Sequence, residues 1–163
     1  FEYRGTLDKY IGDAVMAFWG APVEIKNHAC LAADACLKMM DEVHALNDRI
    51  KSDPVFSAKK LKIDIGIGLN SGVMTVGNMG SDVRKNYTIM GDNVNLGSRL
   101  EGVNKVYTTN IIISEFTYEL IKDHFYVREL DFIRVKGKNE PVRIFELLGR
   151  KENITSETIK AME

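Results

Sequence analysis

The chain has 163 residues, of which 45% are hydrophobic and 28% are charged, and its formal net charge is −1 at pH 7. This length and composition are ordinary for one globular domain with a buried core, so we expect a single domain over residues 1–150 and a polar C-terminal tail over residues 151–163. The nearly neutral charge excludes a mainly electrostatic partner such as nucleic acid, which needs a basic excess.

The front of the chain predicts a β-hairpin followed by a long amphipathic helix. Residues 3–20 have the pattern of two short strands around Gly12 and Asp13, with β-type apolar residues in the second strand. Apolar residues then recur at close to the helical period from Asn27, a plausible cap, as far as Ile50.

The cysteines, the apolar runs and the first residue bear on location. Cys30 and Cys36 fall six residues apart in the predicted helix, so they point to different faces and cannot form a bridge. A reducing compartment fits best, and we expect a cytoplasmic domain. The longest apolar stretch, residues 14–23, is far shorter than the roughly 20 residues of a membrane span. Because the chain begins with Phe1 rather than Met and carries no signal-peptide pattern, we expect an excised piece of a longer protein.

The rest of the chain predicts mostly hairpin-joined strands interleaved with helices. The predicted strands are residues 61–69, 73–77, 86–90, 111–114, 125–135 and 142–148. A turn at residues 70–72 joins the first two as a hairpin. A helix capped by Asp92 or Asn93 and ending near Val106 follows the third strand, and a shorter helix follows the fourth. This order predicts an α+β sandwich with a mostly antiparallel sheet and helices packed on one face.

Residues 87–101 are the most informative stretch of the sequence. They predict a strand, a Gly-Asp turn and the start of a helix on which Asn95 and Arg99 stand four residues apart and therefore point the same way. Together with residues 7–13 (LDKYIGD) and 135–138 (VKGK), this stretch resembles the catalytic domain of the class III adenylate and guanylate cyclases. The three segments follow the order of that family.

The resemblance implies a ferredoxin-like β-α-β-β-α-β core with additions. The family's first strand and first helix have no counterpart before residue 3, so we expect an N-terminally truncated domain. That missing strand carries one of two aspartates that bind Mg²⁺ or Mn²⁺ in the family. The other matches Asp13, whereas Asp8 and Asp92 do not match the missing one. We therefore expect weak turnover or none from these residues alone, since a complete site holds two metal ions.

The resemblance also implies a base specificity. Lys9 and Thr88 match the residues that contact the purine, with Lys as donor to adenine N1 and Thr as acceptor from adenine N6. Guanylate cyclases have Glu and Cys in these places, so the pair favours ATP over GTP. The Lys and Thr combination is that of the subgroup common in bacteria.

Three further residues match catalytic and phosphate-binding positions of the family. Asn95 resembles the residue that orients the ribose, and Arg99 the one that stabilises the pentavalent transition state. Lys136 resembles the lysine that reaches the triphosphate, with Lys138 as a nearby competitor. The implied reaction is attack of the ribose 3′-hydroxyl on the α-phosphate of ATP, which yields 3′,5′-cyclic AMP and pyrophosphate.

The family resemblance implies a head-to-tail homodimer, because the metal aspartates and the complementary groups come from different protomers. We expect a regulatory sensor domain upstream, no nucleic-acid partner and no membrane contact from this segment. Two alternatives remain open: a guanylate cyclase, and a non-catalytic nucleotide-binding or dimerisation module.

Overall fold

The computed structural model describes residues 1–134 and 141–153 of the chain. These residues form strands interspersed with short and long helices. In chain order the elements are β1 Thr6–Ile11, β2 Ala14–Phe18, α1 His28–Ser52, α2 Pro54–Ser57, β3 Ile67–Leu69, β4 Thr75–Gly80, β5 Lys85–Met90, α3 Asp92–Tyr107, β6 Ile111–Ser114, α4 Glu115–Ile121, β7 Phe125–Ile133 and β8 Val142–Arg150.

Within the described residues, the strands form one four-stranded sheet and two hairpins. The sheet has the order β3-β6-β8-β7, in which β3 and β6 are parallel and the other pairs antiparallel. The hairpins are β1 with β2 and β4 with β5. The expected hairpin between residues 61–69 and 73–77 is therefore wrong, because β3 pairs with β6 and β4 pairs with β5.

The first predicted strand of that pair is also shorter than expected, because a side chain replaces a strand partner. Only Ile67–Leu69 is a strand. Upstream, the Asn47 amide of α1 donates to the Ile63 carbonyl oxygen at 2.7 Å and accepts from the Ile63 amide at 2.8 Å. The backbone polar groups of Ile63 are thus satisfied without a neighbouring strand.

Helices cover both faces of the four-stranded sheet. Side chains of a strand alternate between faces, and in β6 Ile111 and Ile113 pack with α1 and α4, whereas Ile112 packs with Leu96 and Leu100 of α3. The α+β class is confirmed, but the expectation that helices pack on one face is wrong. All four residues of β6 are buried, and an unbroken apolar run is typical of a strand covered on both sides.

The long predicted helix is confirmed as α1, which has 25 residues. It buries Ala33 and Cys36, and both Cys30 and Cys36 are free thiols, as expected. Asn27 precedes the helix, but its side chain makes no capping hydrogen bond within the described part of the chain. Over residues 1–134 and 141–153, no helix combines the length and the apolar character that crossing a bilayer requires.

Candidate active site

The structure brings Lys9 of β1 and Thr88 of β5 together, although they lie 79 residues apart in the sequence. The Lys9 Nζ atom donates a hydrogen bond to Thr88 Oγ1 at 3.0 Å. Thr88 is buried and faces Gly77 across the β4–β5 hairpin, whereas Lys9 keeps 40% of its side chain exposed. A donor and an acceptor therefore stand side by side at the junction of the two hairpins.

Asp8 is the third member of this cluster, although the sequence did not predict its place there. The Thr88 hydroxyl donates to Asp8 Oδ2 at 2.5 Å, and the Ile89 amide lies 3.4 Å from the same oxygen. The Lys9 ammonium lies 3.2 Å from Asp8 Oδ1, an ion-pair distance, yet no described group makes a hydrogen bond of good geometry to Oδ1. The Asp8 side chain is fully buried.

A β-bulge explains how neighbouring residues face the same partner. Consecutive side chains of a regular strand point to opposite faces. In β1, Leu7 pairs with Ala17 and Lys9 pairs with Met16, so Asp8 is the extra residue of a bulge. The bulge turns Asp8 and Lys9 towards Thr88 together.

Asn95 and Arg99 lie on α3, which begins directly after β5. Gly91 makes the turn between β5 and α3 with φ of 140°, a conformation that favours glycine. Asn95 is exposed and Arg99 is half-buried. Neither side chain has a hydrogen bond or ion pair with another described residue, so both are available to a ligand. Gly91, rather than Asp92 or Asn93, is the cap residue of α3.

Close packing on β3 fixes the position of α3. A Cβ atom on Gly68 would overlap the backbone of Gly97 and Glu101, so only glycine lets the helix lie this near to the strand. At the far end of α3, Asn104 donates to the Ile67 carbonyl oxygen at 3.0 Å.

A polar network holds the first turn of α3. The Ser114 hydroxyl donates to Asn70 Oδ1 at 2.5 Å, and the Asn70 amide donates to the Asn93 carbonyl oxygen at 2.8 Å. The Asn93 amide in turn donates to the Val73 carbonyl oxygen at 3.0 Å. The helix end that carries Asn95 is therefore tied to the sheet by side chains from β6 and from the loop after β3.

Asp13 lies in the turn between β1 and β2. It is exposed, and it follows Gly12, whose φ is 65°. The described residues contain no group of three or more metal-ligating side chains. A single exposed carboxylate does not make a site for two divalent cations, so the described residues of one chain do not fit a metal pair. Lys136 and Lys138 lie outside the described residues.

Comparison with known proteins relates this arrangement to one family. The sequence model of the adenylate and guanylate cyclase catalytic domain family matches residues 7–149 of this chain. Adenylate cyclase 1 of Rhizobium meliloti (strain 1021) is 35% identical over 149 residues, which are 90% of this chain and 21% of that protein. The chain thus spans about a fifth of the length of this relative.

Solved structures similar to this chain are also nucleotide cyclases. The adenylyl cyclase CyaB from P. aeruginosa superposes with a TM-score of 0.79 at 34% sequence identity, over 94% of this chain and 76% of that one. The guanylyl cyclase Cya2 superposes with a TM-score of 0.81 at 30% identity, over 94% of this chain and 75% of that one. Both nucleotide specificities are therefore represented among the structural relatives.

Proposed function

The chain belongs to the adenylate and guanylate cyclase catalytic domain family, and from that premise we propose that it is the catalytic domain of an adenylate cyclase. In this proposal ATP is converted to 3′,5′-cyclic AMP and pyrophosphate. The family membership expected from the sequence is confirmed by the match over residues 7–149. Because relatives of both specificities exist, the choice of ATP rests on the residues of this chain.

The observation that carries the choice is the contact between Lys9 and Thr88. Adenine presents an acceptor at N1 and a donor at N6, and these match the Lys9 ammonium and the Thr88 hydroxyl oxygen, which stand 3.0 Å apart. Guanine presents a donor at N1 and an acceptor at O6. A lysine opposite a guanine N1–H would set two donors against each other, and such mismatches in a buried site discriminate strongly.

The chemistry assigned to α3 follows from residue type and placement. Attack of the ribose 3′-hydroxyl on the α-phosphorus builds negative charge on the transferring group. Arg99 carries a permanent charge and a planar set of donors, which suits it to that charge. Asn95, one helical turn earlier, would orient the ribose. Lys136 would contact the triphosphate.

The homodimer is part of the same proposal. Asp13 and Lys9 occupy one hairpin and are separated by four residues, or at most ~13 Å of extended chain. Exposed apolar side chains surround them, including Tyr10, Ile11 and Val15, and clustered apolar exposure marks association surfaces. We propose that Asp13 of one protomer serves, as ligand to Mg²⁺ or Mn²⁺, a site whose Arg99 comes from the partner.

Location and regulation complete the proposal. Cys30 and Cys36 are free thiols, which suits a reducing compartment such as the cytoplasm. The chain spans about a fifth of a similar adenylate cyclase, which leaves room for a sensor domain elsewhere in the protein. Rotation of the two protomers would then be the means by which a sensor changes activity.

Nucleotide choice is tested by exchanging the two base-contacting residues. In the full-length protein, kcat/KM is measured for ATP and for GTP in the wild type and in the double variant Lys9→Glu, Thr88→Cys. We expect the wild type to prefer ATP and the variant to shift the ratio towards GTP by about a hundredfold. An unchanged ratio would remove these residues as base contacts. A wild type that prefers GTP would establish a guanylate cyclase, and nucleotide binding without turnover would establish a non-catalytic module.

Site sharing is tested by mixing two inactive variants. Asp13→Asn and Arg99→Ala should each abolish activity, because each removes one side of every site. After mixing, half of the dimers are mixed dimers with one intact site, so about a quarter of the wild-type activity should return. Failure to recover any activity, with mixed dimers verified by mass spectrometry, would show that each site lies within one protomer.

A further inference from the structure

Asp8 is a buried carboxylate for which the proposed reaction gives no role. Its side chain is fully buried at the contact between β1 and β5. Burial of a charged carboxylate is unfavourable unless hydrogen bonds and counter-charges compensate. Here Oδ1 faces only the Lys9 ammonium at 3.2 Å and lacks a hydrogen bond from any described residue. A buried polar atom left in this state needs an explanation.

The bulge in β1 places this carboxylate on the base-contacting groups. A regular strand would point Asp8 away from the side to which Lys9 points. Because Asp8 is the extra residue between Leu7 and Lys9, it reaches Thr88 instead. Bulges of this kind are common beside active sites, where they redirect a side chain.

The contact with Thr88 fixes the direction of one hydrogen bond. A free hydroxyl can either donate or accept, whereas an ionised carboxylate can only accept. The distance of 2.5 Å between Thr88 Oγ1 and Asp8 Oδ2 is that of a charge-assisted hydrogen bond. The only proton of the Thr88 hydroxyl is therefore held by Asp8, and Thr88 Oγ1 presents lone pairs alone to its other neighbours.

We propose that Asp8 is a positioning residue for nucleotide specificity, which makes Thr88 an obligate hydrogen-bond acceptor by holding its hydroxyl proton. This inference rests on the proposed function, in which Thr88 faces position 6 of the purine. Adenine has an amino group there and can donate to Thr88. Guanine has a carbonyl oxygen there, and it meets an oxygen that has no proton to give. Without Asp8, the Thr88 hydroxyl can rotate and donate to guanine.

The test is a double-mutant cycle on nucleotide discrimination. Asp8→Ala, the isosteric Thr88→Val and the combination of both are compared with the wild type in the full-length protein. Binding of 3′-deoxy-ATP and of 3′-deoxy-GTP, which lack the attacking hydroxyl, is measured by calorimetry. The ratio of the two affinities is the readout, because a loss of folded protein affects both nucleotides equally. Asp8→Asn serves as a second variant that keeps the volume of the side chain.

A matched control is available at the junction of α1 and α2. The Asp53 carboxylate accepts hydrogen bonds from the Val55 and Phe56 amides, at 2.8 and 3.3 Å, and has no contact with Lys9 or Thr88. Asp53→Ala therefore removes a carboxylate with a local structural role but leaves the proposed site intact. Its affinity ratio should equal that of the wild type.

We expect Asp8→Ala to lower the preference for the adenine nucleotide about tenfold. In the Thr88→Val background the same substitution should leave the ratio unchanged, because no hydroxyl remains to be oriented. The inference would be overturned if Asp8→Ala lowered the affinity ratio equally with Thr88 and with Val at position 88. It would also be overturned if neither Asp8→Ala nor Asp8→Asn lowered the ratio. Both results would leave the proposed function in place. A wild type that binds neither nucleotide would overturn both.

Discussion

The four-stranded sheet and the two hairpins differ in how far they bury their apolar side chains. In the sheet, β6 is buried along its whole length, and Ile112 and Ile113 are 0% exposed. In the β1–β2 hairpin, Tyr10 is 70% exposed and Val15 is 59% exposed. The sheet holds the apolar core, whereas the hairpins carry a buried carboxylate, a lysine and exposed apolar side chains. If the proposed function holds, stability and recognition are thus separated in the molecule.

Helix α3 shows the same division within a single element. Leu96 and Leu100 are fully buried against the sheet, while Asn95 and Arg99 lie on the rest of the helix surface and have no partner among the described residues. Substitutions on one side of α3 should therefore affect folding, and those on the other side should affect turnover.

The largest effect is expected at Arg99, on the recognition side. Arg99→Ala should lower kcat about a thousandfold, because it removes the charge proposed to stabilise the transition state. Its free energy of unfolding should change by less than about 0.5 kcal/mol, since the guanidinium makes no ion pair or hydrogen bond within the described part of the chain. Turnover is measured with ATP, and unfolding with denaturant.

Two comparisons sharpen the Arg99 result. Arg84 is an exposed arginine in the turn between β4 and β5, and Arg84→Ala should leave both quantities unchanged. Arg99→Lys keeps the charge but loses the planar set of donors, so most of the activity should still be lost. A folded Arg99→Ala variant with wild-type turnover would break the proposed division of α3.

The next effect is expected at Gly68, on the stability side. Gly68→Ala should destabilise the fold by about 3 kcal/mol or more, because its Cβ atom would overlap the backbone of Gly97 and Glu101. The matched control is Gly102 of α3, the helix that Gly68 contacts, since a Cβ atom on Gly102 meets no atom within 4 Å. Gly102→Ala should stabilise the protein by about 0.5 to 1 kcal/mol. Equal effects in denaturant unfolding would contradict the close packing of β3 and α3.

The sequence predicted what is local and repeated. The β1–β2 hairpin, α1, and the strand, turn and helix around residues 85–107 follow from apolar period and turn residues, and the structure has them. Only the family resemblance assigned Lys9 and Thr88 to one site, because the pair is separated by 79 residues in the sequence, and it did not predict the contact between them. The roles of Asp13, Asn95, Arg99 and Lys136 stay predictions.

What the sequence did not predict depends on distant side chains. The Asn47 side chain makes the backbone hydrogen bonds of Ile63 that a neighbouring strand would otherwise make. No local sequence pattern predicts this contact. The bulge at Asp8 was likewise not predicted, because the two-residue period of a regular strand assigns Asp8 and Lys9 to opposite faces. The covered second face of the sheet did have a signal, the unbroken run Ile111, Ile112 and Ile113.

A matched pair of isoleucines compares the two regions directly. Ile112 is 0% exposed in the sheet, and Ile11 is 58% exposed at the end of β1. Ile112→Val should lower the free energy of unfolding by about 1 kcal/mol, because it removes a buried methylene. Ile11→Val should change it by only a few tenths of that, since the side chain is already in water. Similar losses in denaturant unfolding would mean that the hairpin is packed as tightly as the sheet.

The smallest effect is expected at Cys36, and it tests how well the core under α1 is sealed. Burial raises the pKa of the Cys36 thiol to about 12, so the folded protein keeps the neutral thiol at pH 8, and the thiol is neither accessible nor nucleophilic. Iodoacetamide should leave Cys36 unmodified in the folded protein and alkylate it after unfolding, as followed by mass spectrometry. The unfolded thiol ionises near its ordinary pKa of 9.0, so this residue lowers stability only as the pH rises from about 9 towards 12. By pH 9.5 the loss should be below about 1 kcal/mol and should be absent from Cys36→Ala. Alkylation of Cys36 at pH 8 at the rate of a free thiol would show that the core under α1 is open to solvent.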